Sequence, residues 1–119
     1  MIETARKGEH MKLAIVGSRN IGDIDIGMYL PDGVDEIVSG GAKGADTLAR
    51  RYAEEHGIKL TEFLPKYDLF GRSAPLKRNE EIVRYADEGI AFWDGKSRGT
   101  KYTIDAFRKV GKKVQIVLI

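Results

Sequence analysis

The chain of 119 residues contains no cysteine. Disulfides, a thiolate nucleophile and a thiolate metal site are therefore excluded, and this absence fits a protein of the cytoplasm. No apolar run approaches the roughly 20 residues that a membrane-spanning helix needs. The N-terminus also lacks the apolar core of a secretory signal. We therefore expect a cytoplasmic protein.

The chain also lacks an excess of charge, because 20 basic and 18 acidic residues leave a net charge of +2. This balance gives no bulk attraction for nucleic acid, so only a local basic patch could bind it. The two histidines, His10 and His56, have no neighbours at metal-ligand spacing. We therefore predict no metal site and no cofactor, and no G-x-S-x-G nucleophile motif is present.

Short apolar runs alternate with amphipathic segments along most of the chain. The predicted strands are residues 12–16, 35–39, 59–64, 89–93 and 113–119, and the predicted helices are residues 45–56, 75–86 and 100–110. Residues 66–74 are predicted to be a loop, and Leu76 is predicted to face the core. This alternation predicts βαβ units. We expect an α/β fold: a three-layer Rossmann-like domain with a mostly parallel five-stranded sheet and helices on both faces.

The first ten residues are polar and unpatterned. They are predicted to be a disordered leader outside the fold, or residues that precede a natural start at Met11. Residues 11–119 are predicted to form a single domain, which matches the usual size of one folded unit.

Three glycine-containing turns follow the first, second and fourth predicted strands. They are residues 16–19 (VGSR), residues 39–46 (SGGAKGAD) and residues 95–100 (GKSRGT). Backbone N–H groups converge at such turns, and the dipole of a following helix favours negative charge there. Because ligands of parallel sheets bind beyond the carboxyl ends of the strands, the three turns predict one phosphate site.

Several polar side chains in or near these turns suit a nucleotide. The guanidinium of Arg19 can form a bidentate contact with phosphate. Asp46 either caps a helix, which stabilises it by ~1 kcal/mol, or holds a ribose hydroxyl or a base amine. Asp94 could contact a sugar hydroxyl, and Asn79, a poor interior helix former, could reach into the cleft. Trp93 is either a core side chain or a flat wall for a base.

The complete set of predicted ligand-binding residues consists of residues in or beside the turns and two residues of a helix. They are Gly17, Ser18, Arg19, Ser39, Gly40, Gly41, Lys43, Gly44, Ala45, Asp46, Arg78, Asn79, Asp94, Ser97, Gly99 and Thr100. The second turn has the spacing G-G-x-x-G, which differs from the dinucleotide motif G-x-G-x-x-G, and it lacks the G-K-[ST] ending of a P-loop. Sites of those two kinds for NAD and ATP are therefore disfavoured, and no catalytic residue is assigned.

The motifs GSR, SGGAKGAD, RN at residues 78–79 and SRGT at residues 97–100 together resemble the SLOG superfamily, which includes Smf/DprA and LOG proteins. Within it the chain is most similar to the small single-domain YspA/YpsA-related proteins. The resemblance covers residues 11–119. It implies a Rossmann-like fold that binds a nucleotide or nucleotide-derived ligand, ADP-ribose-like or a signalling nucleotide. It also implies self-association as a homo-oligomer.

One alternative is a nucleoside-monophosphate phosphoribohydrolase, the activity that a resemblance to LOG proteins implies. Their signature is P-G-G-x-G-T-x-x-E, and Gly99-Thr100 matches its G-T. Thr103 stands where the glutamate is expected, and Asp105 lies two positions further on. The chain therefore departs from the signature at its carboxylate.

A second alternative is single-stranded DNA binding, which the resemblance to DprA proteins implies through the GSR turn and the S-G-x-A-x-G-x-D segment. Such binding usually needs a basic groove with stacking aromatic side chains. Trp93 could stack, and the cations that could line a groove are Arg19, Lys43, Lys77, Arg78 and Arg98.

Overall fold

A computed structural model of the protein describes residues 11–41 and 43–119. It contains five strands: β1 Met11–Gly17, β2 Val34–Ser39, β3 Lys59–Glu62, β4 Glu88–Trp93 and β5 Val114–Leu118. They form one sheet in the order β3-β2-β1-β4-β5, and every neighbouring pair is parallel. The predicted α/β fold is confirmed. The prediction for residues 1–10 lies outside the described residues.

Helices cover both faces of the sheet. They are α1 Ala45–His56, α2 Ala74–Tyr85 and α3 Arg98–Lys109, with short helical turns at Ile26–Tyr29, Tyr67–Phe70 and Gly71–Ser73. Successive side chains of a strand point to opposite faces. Leu13 and Ile15 of β1 share a core with residues of α1, whereas Ala14 and Val16 share one with α2 and α3. None of the helices in the described residues is long and apolar enough to cross a membrane.

Most boundaries lie within one residue of those predicted, and three differences are larger. Strand β3 ends at Glu62 because it is an edge strand, and its pairing with β2 ends there, opposite Ser39. Residues 66–74, predicted to be a loop, include the helical turns Tyr67–Phe70 and Gly71–Ser73. Helix α3 begins two residues early, at Arg98, because the Ser97 side chain accepts a hydrogen bond from a backbone N–H of its first turn.

The strand order places β1 beside β4 at the centre of the sheet. From β1 the chain builds outward through β2 and β3, and it then returns to build β4 and β5 on the other side. Connections that leave two adjacent strands in opposite directions open a crevice beyond their carboxyl ends. The turns after β1, β2 and β4 all lie at this edge, as the sequence predicts.

A buried glutamate joins β2, β3 and α2. Glu36 is only 8% exposed, and its Oε2 accepts hydrogen bonds from the hydroxyls of Tyr85 at 2.5 Å and Thr61 at 2.7 Å. Burial alone would raise the pKa of Glu36, but these two hydrogen bonds and the positive charge of Lys59 lower it below its ordinary value. The ionised form of Glu36 therefore stabilises the fold.

The Tyr85→Phe variant tests this, because it removes the hydroxyl that donates to Glu36. At pH 7 we expect the Tm to fall by roughly 5 °C, since hydrogen bonds to charged groups are the stronger ones. A lowered folded-state pKa means that the stabilisation is present above the ordinary glutamate pKa of ~4.3 and is lost as the pH falls through the folded value. The difference in Tm should therefore shrink below about pH 4. Thermal denaturation of the wild type and the variant at pH 7 and below about pH 4 measures this difference in Tm.

Tyr102→Phe is the matched control, because the Tyr102 hydroxyl donates to Glu80 in an exposed pair. We expect its Tm to change by less than about 2 °C, since exposed polar pairs contribute little. Equal losses in the two variants would contradict the role given to Glu36.

Candidate functional site

A cavity of about 160 Å³ lies at the carboxyl edge of the sheet, between the three turns and the start of α2. Ten of the predicted site residues line it: Gly17, Arg19, Gly40, Lys43, Asp46, Arg78, Asn79, Ser97, Gly99 and Thr100. The other six belong to the turns or directly precede one, but they are not among the lining residues: Ser18, Ser39, Gly41, Gly44, Ala45 and Asp94. The structure thus brings all three turns to one cavity.

The first and second turns are in direct backbone contact. Gly44 has a φ of +79°, and a Cβ added there would lie 2.5 Å from the carbonyl oxygen of Ser18 and 2.8 Å from Cα of Arg19. A Cβ added at Gly17 would lie 2.9 Å from the Cβ of Ala45. Only glycine allows this approach at Gly44, because both its conformation and the space exclude a side chain.

The first and third turns are joined by hydrogen bonds. The Ser18 N–H donates to the carbonyl of Phe92 at 3.0 Å, and the Ser18 hydroxyl accepts from the Asp94 N–H at 3.2 Å. Oδ1 of Asp94 accepts from the N–H groups of Ser97 and Lys96, both at 2.8 Å. These backbone hydrogen bonds lower the pKa of Asp94 below its ordinary value. Ser18 and Asp94 therefore shape the turns that carry the lining residues.

Two further residues of the second turn, Ser39 and Gly41, do not line the cavity. Ser39 is fully buried at the end of β2, and its Oγ has no hydrogen-bond partner in the described part of the chain. A Cβ added at Gly41 would lie 2.5 Å from Cδ2 of Leu64. The segment after β3 therefore lies directly against the second turn.

The charged residues that line the cavity are three cations, Arg19, Lys43 and Arg78, and one acid, Asp46. Asp46 was predicted either to cap α1 or to contact a ligand. Gly44 occupies the N-cap position instead, and Asp46 stands in the first turn of α1. An acid there is favoured by the positive end of the helix dipole. The excess of positive charge makes the cavity attractive to an anion.

Arg78 is fixed in place beside the second turn. Its Nη1 donates to the carbonyl of Gly40 at 2.8 Å, and its Nε donates to Oδ1 of Asn79 at 2.7 Å. A Cβ added at Gly40 would lie 2.3 Å from Nη1, so the glycine makes room for the guanidinium. Burial lowers the pKa of Arg78, and the charge of Arg19 acts in the same direction, whereas Asp46 raises it. Arg78 still carries its charge, because arginine stays protonated in proteins.

The third turn contributes the start of α3. The Ser97 hydroxyl accepts from the Thr100 N–H at 3.4 Å, which caps the helix. A Cβ added at Gly99 would meet no atom within 4 Å, and Gly99 does not have a positive φ. The fold therefore does not require glycine at this position. Gly99 keeps the first turn of α3 open to the cavity, where helix N–H groups are available to an anion.

The remaining lining residues were not predicted as site residues: Val16, Pro75, Leu76, Ile82 and Thr103. Leu76 was predicted to face the core, but it is 39% exposed. It lies in the first turn of α2, beside a cavity that opens beyond the strand ends, so it borders that opening. The structure favours the core interpretation of Trp93. Its side chain packs against the core on the sheet face that α2 and α3 cover, and its Nε1 donates to the Ser97 carbonyl.

The chemistry available at this cavity is the binding of an anion. Among the lining residues in the described part of the chain, Asp46 is the only carboxylate. In the part of the chain that the structure describes, no group of three or more histidine, aspartate or glutamate side chains could hold a metal ion. A phosphate group matches the guanidinium groups and helix N-termini that meet here.

Gly44 and Gly99 should respond differently to substitution by alanine. Gly44→Ala should lower the free energy of unfolding by about 1–3 kcal/mol for the backbone conformation alone, with the clash against the Ser18 carbonyl in addition. Gly99→Ala should leave it unchanged or raise it slightly, because the added Cβ has open space and alanine favours a helix. Urea unfolding without ligand measures both. Equal destabilisation would contradict the distinction.

Comparison with known proteins finds the Gene 61 protein of Mycobacterium phage D29, which is 38% identical over 81 residues. The match covers 63% of this chain and 65% of the phage protein, so it spans a little less than two thirds of that relative. No solved structure matches the chain.

The family described as YspA, cpYpsA-related SLOG family matches residues 28–70. This segment runs from the helical turn before β2, through the second glycine turn and α1, to the helical turn after β3. It contains Gly44, which contacts the first turn, and it includes Lys43 and Asp46 of the cavity wall. The α/β fold and this match agree with the motifs of the sequence, and the match supports membership of the SLOG superfamily.

Proposed function

We propose that the protein binds a nucleotide or a nucleotide-derived ligand, with a phosphate group in the cavity between the three turns. The observation that carries the proposal is the convergence of three cationic side chains and two helix starts on one small cavity at the switch point of a parallel sheet. Membership of the SLOG superfamily is consistent with nucleotide-related binding.

The charges of the cavity suggest how the ligand is oriented. The guanidinium groups of Arg78 and Arg19 and the ammonium of Lys43 provide charge-assisted contacts to phosphate oxygens. Asp46 would repel a phosphate that came close, so its carboxylate is better suited to accept a hydrogen bond from a sugar hydroxyl. The ligand would therefore place its phosphate near Arg78 and its ribose near Asp46.

Turnover of the ligand, the phosphoribohydrolase alternative, has less support than binding. Thr103, which replaces the glutamate of the LOG signature, is buried and donates its hydroxyl to the Gly99 carbonyl at 3.1 Å. Asp105 is exposed and pairs with Lys101 at 2.8 Å, and it is not a lining residue. Asp105 therefore does not take over from the missing glutamate, which favours binding over hydrolysis. The cytoplasmic location and the homo-oligomer stay predictions.

Loss of one cation should weaken nucleotide binding. We expect Arg78→Met to reduce the affinity for AMP or ADP-ribose by about 10- to 100-fold, because a charge-assisted hydrogen bond contributes about 1.5–3 kcal/mol. Calorimetry at low salt measures it. Lys43→Met is a second variant, in which the lost side chain is exposed and the fold is less at risk.

Arg84→Met is the matched control for these variants, because Arg84 is an exposed arginine of the same helix α2 that does not line the cavity. Its affinity for the nucleotide should equal that of the wild type. If all three variants bind equally well, or if the wild type binds none of AMP, ADP-ribose, NAD and cyclic nucleotides at millimolar concentration, the proposal is wrong.

Salt dependence separates a small-ligand site from the single-stranded DNA alternative. Three cavity cations limit the slope of log K against log salt concentration to about −2 for a mononucleotide, because each contact contributes about −0.7 to the slope. A single strand of DNA contacts the protein through more phosphates, so its slope is steeper. We expect AMP to stay bound between 50 and 200 mM salt, roughly the range over which strand binding collapses. Fluorescence anisotropy with oligothymidylate, and its competition by AMP, measures both. Tight strand binding that AMP does not displace would favour the alternative.

A further inference from the structure

The cavity is too small to enclose a whole nucleotide. Its volume is about 160 Å³, whereas sites that bury a drug-sized ligand hold about 300–1,000 Å³. A phosphate fits inside, among the cations, and the ribose can lie at the opening beside Asp46. The base of such a ligand must then rest on the surface outside the cavity.

An apolar surface lies beside the cavity, in the segment between β3 and the first turn of α2. Five of the eleven exposed large apolar side chains of the described residues fall within residues 64–76: Leu64, Tyr67, Leu69, Phe70 and Leu76. Exposed apolar groups scattered singly need no explanation, whereas contiguous exposed apolar patches mark binding surfaces. We call residues 64–76 the rim segment.

The rim segment contacts the cavity wall at two points. Leu76 lines the cavity, and Leu64 lies against Gly41 of the second turn. The Tyr67 side chain is in addition within coulombic range of the Arg78 guanidinium. The apolar surface and the anion site are therefore adjacent, on the side of the cavity where Arg78 stands.

The rim segment is held in a defined conformation. The N–H groups of Leu69 and Phe70 donate to the Lys66 carbonyl, and the Ser73 hydroxyl donates to the Phe70 carbonyl at 2.8 Å. Lys66 also pairs with Glu81 of α2 at 3.7 Å. Exposed apolar side chains held in place in this way form a preorganised surface, which lowers the entropy lost on binding.

We propose that the rim segment is the base platform of the site, with the ring of Tyr67 stacking against the nucleobase of the ligand whose phosphate occupies the cavity. This inference rests on the proposed function. It makes the protein selective for ligands that carry both a phosphate and a base. The rim segment and the cavity complement the two parts of such a ligand, because an aromatic face suits a base and the cations suit a phosphate.

Calorimetry with two probes tests this, namely AMP and ribose 5-phosphate, which lacks the base. Stacking on an aromatic side chain contributes about tenfold or more to affinity. We expect the wild type to bind AMP at least about tenfold more tightly than ribose 5-phosphate. Tyr67→Ala should remove most of this preference without changing the affinity for ribose 5-phosphate. Tyr67→Phe should keep the preference, because the ring is retained.

Tyr102→Ala is the control, since Tyr102 is an exposed tyrosine of α3 that does not line the cavity. It should keep the preference for AMP. Equal affinities of the wild type for the two probes, or a preference that survives Tyr67→Ala, would overturn the platform while leaving the phosphate site intact. If neither probe binds the wild type, the phosphate site and the platform both fail.

Discussion

The contact of Gly44 with the first turn is the constraint on which the candidate site depends. The backbone at Gly44 lies where any side chain would collide with the carbonyl of Ser18. This approach brings the start of α1 against the end of β1. The Ser18 hydroxyl then connects the first turn to the third through the N–H of Asp94. Two contacts of a few atoms each therefore hold three turns, far apart in the sequence, around one cavity.

The sheet provides the place for this arrangement, and the helices provide its electrostatics. The crevice beyond β1 and β4 follows from the strand order alone. Three cations give it a positive charge, and one of them, Arg78, reaches from α2 to the Gly40 carbonyl and is partly removed from water. Burial of a charge is unfavourable unless it is compensated. The Gly40 carbonyl and the negative charge of Asp46 compensate it in part, and a bound phosphate would compensate it further.

The fold and most of the site could be predicted from the sequence, because both follow from local patterns. Alternating apolar runs predict the strands, and glycine turns after strands predict the sheet edge that carries the site. The roles of Ser18 and Asp94 could not be predicted, since their hydrogen bonds join turns that are distant along the chain. Leu76 was predicted to face the core because apolar spacing shows which face of a helix a residue occupies. The spacing does not show that the first turn of α2 extends beyond the sheet.

The central claim is that the ligand phosphate lies between the three turns. A crystal structure of the protein with AMP tests it most directly. We predict phosphate density within hydrogen-bond distance of the Arg78 guanidinium and of backbone N–H groups in the first turn of α3. Phosphate bound elsewhere, such as in the groove between α2 and α3 that Tyr102 and Lys109 line, would contradict the account.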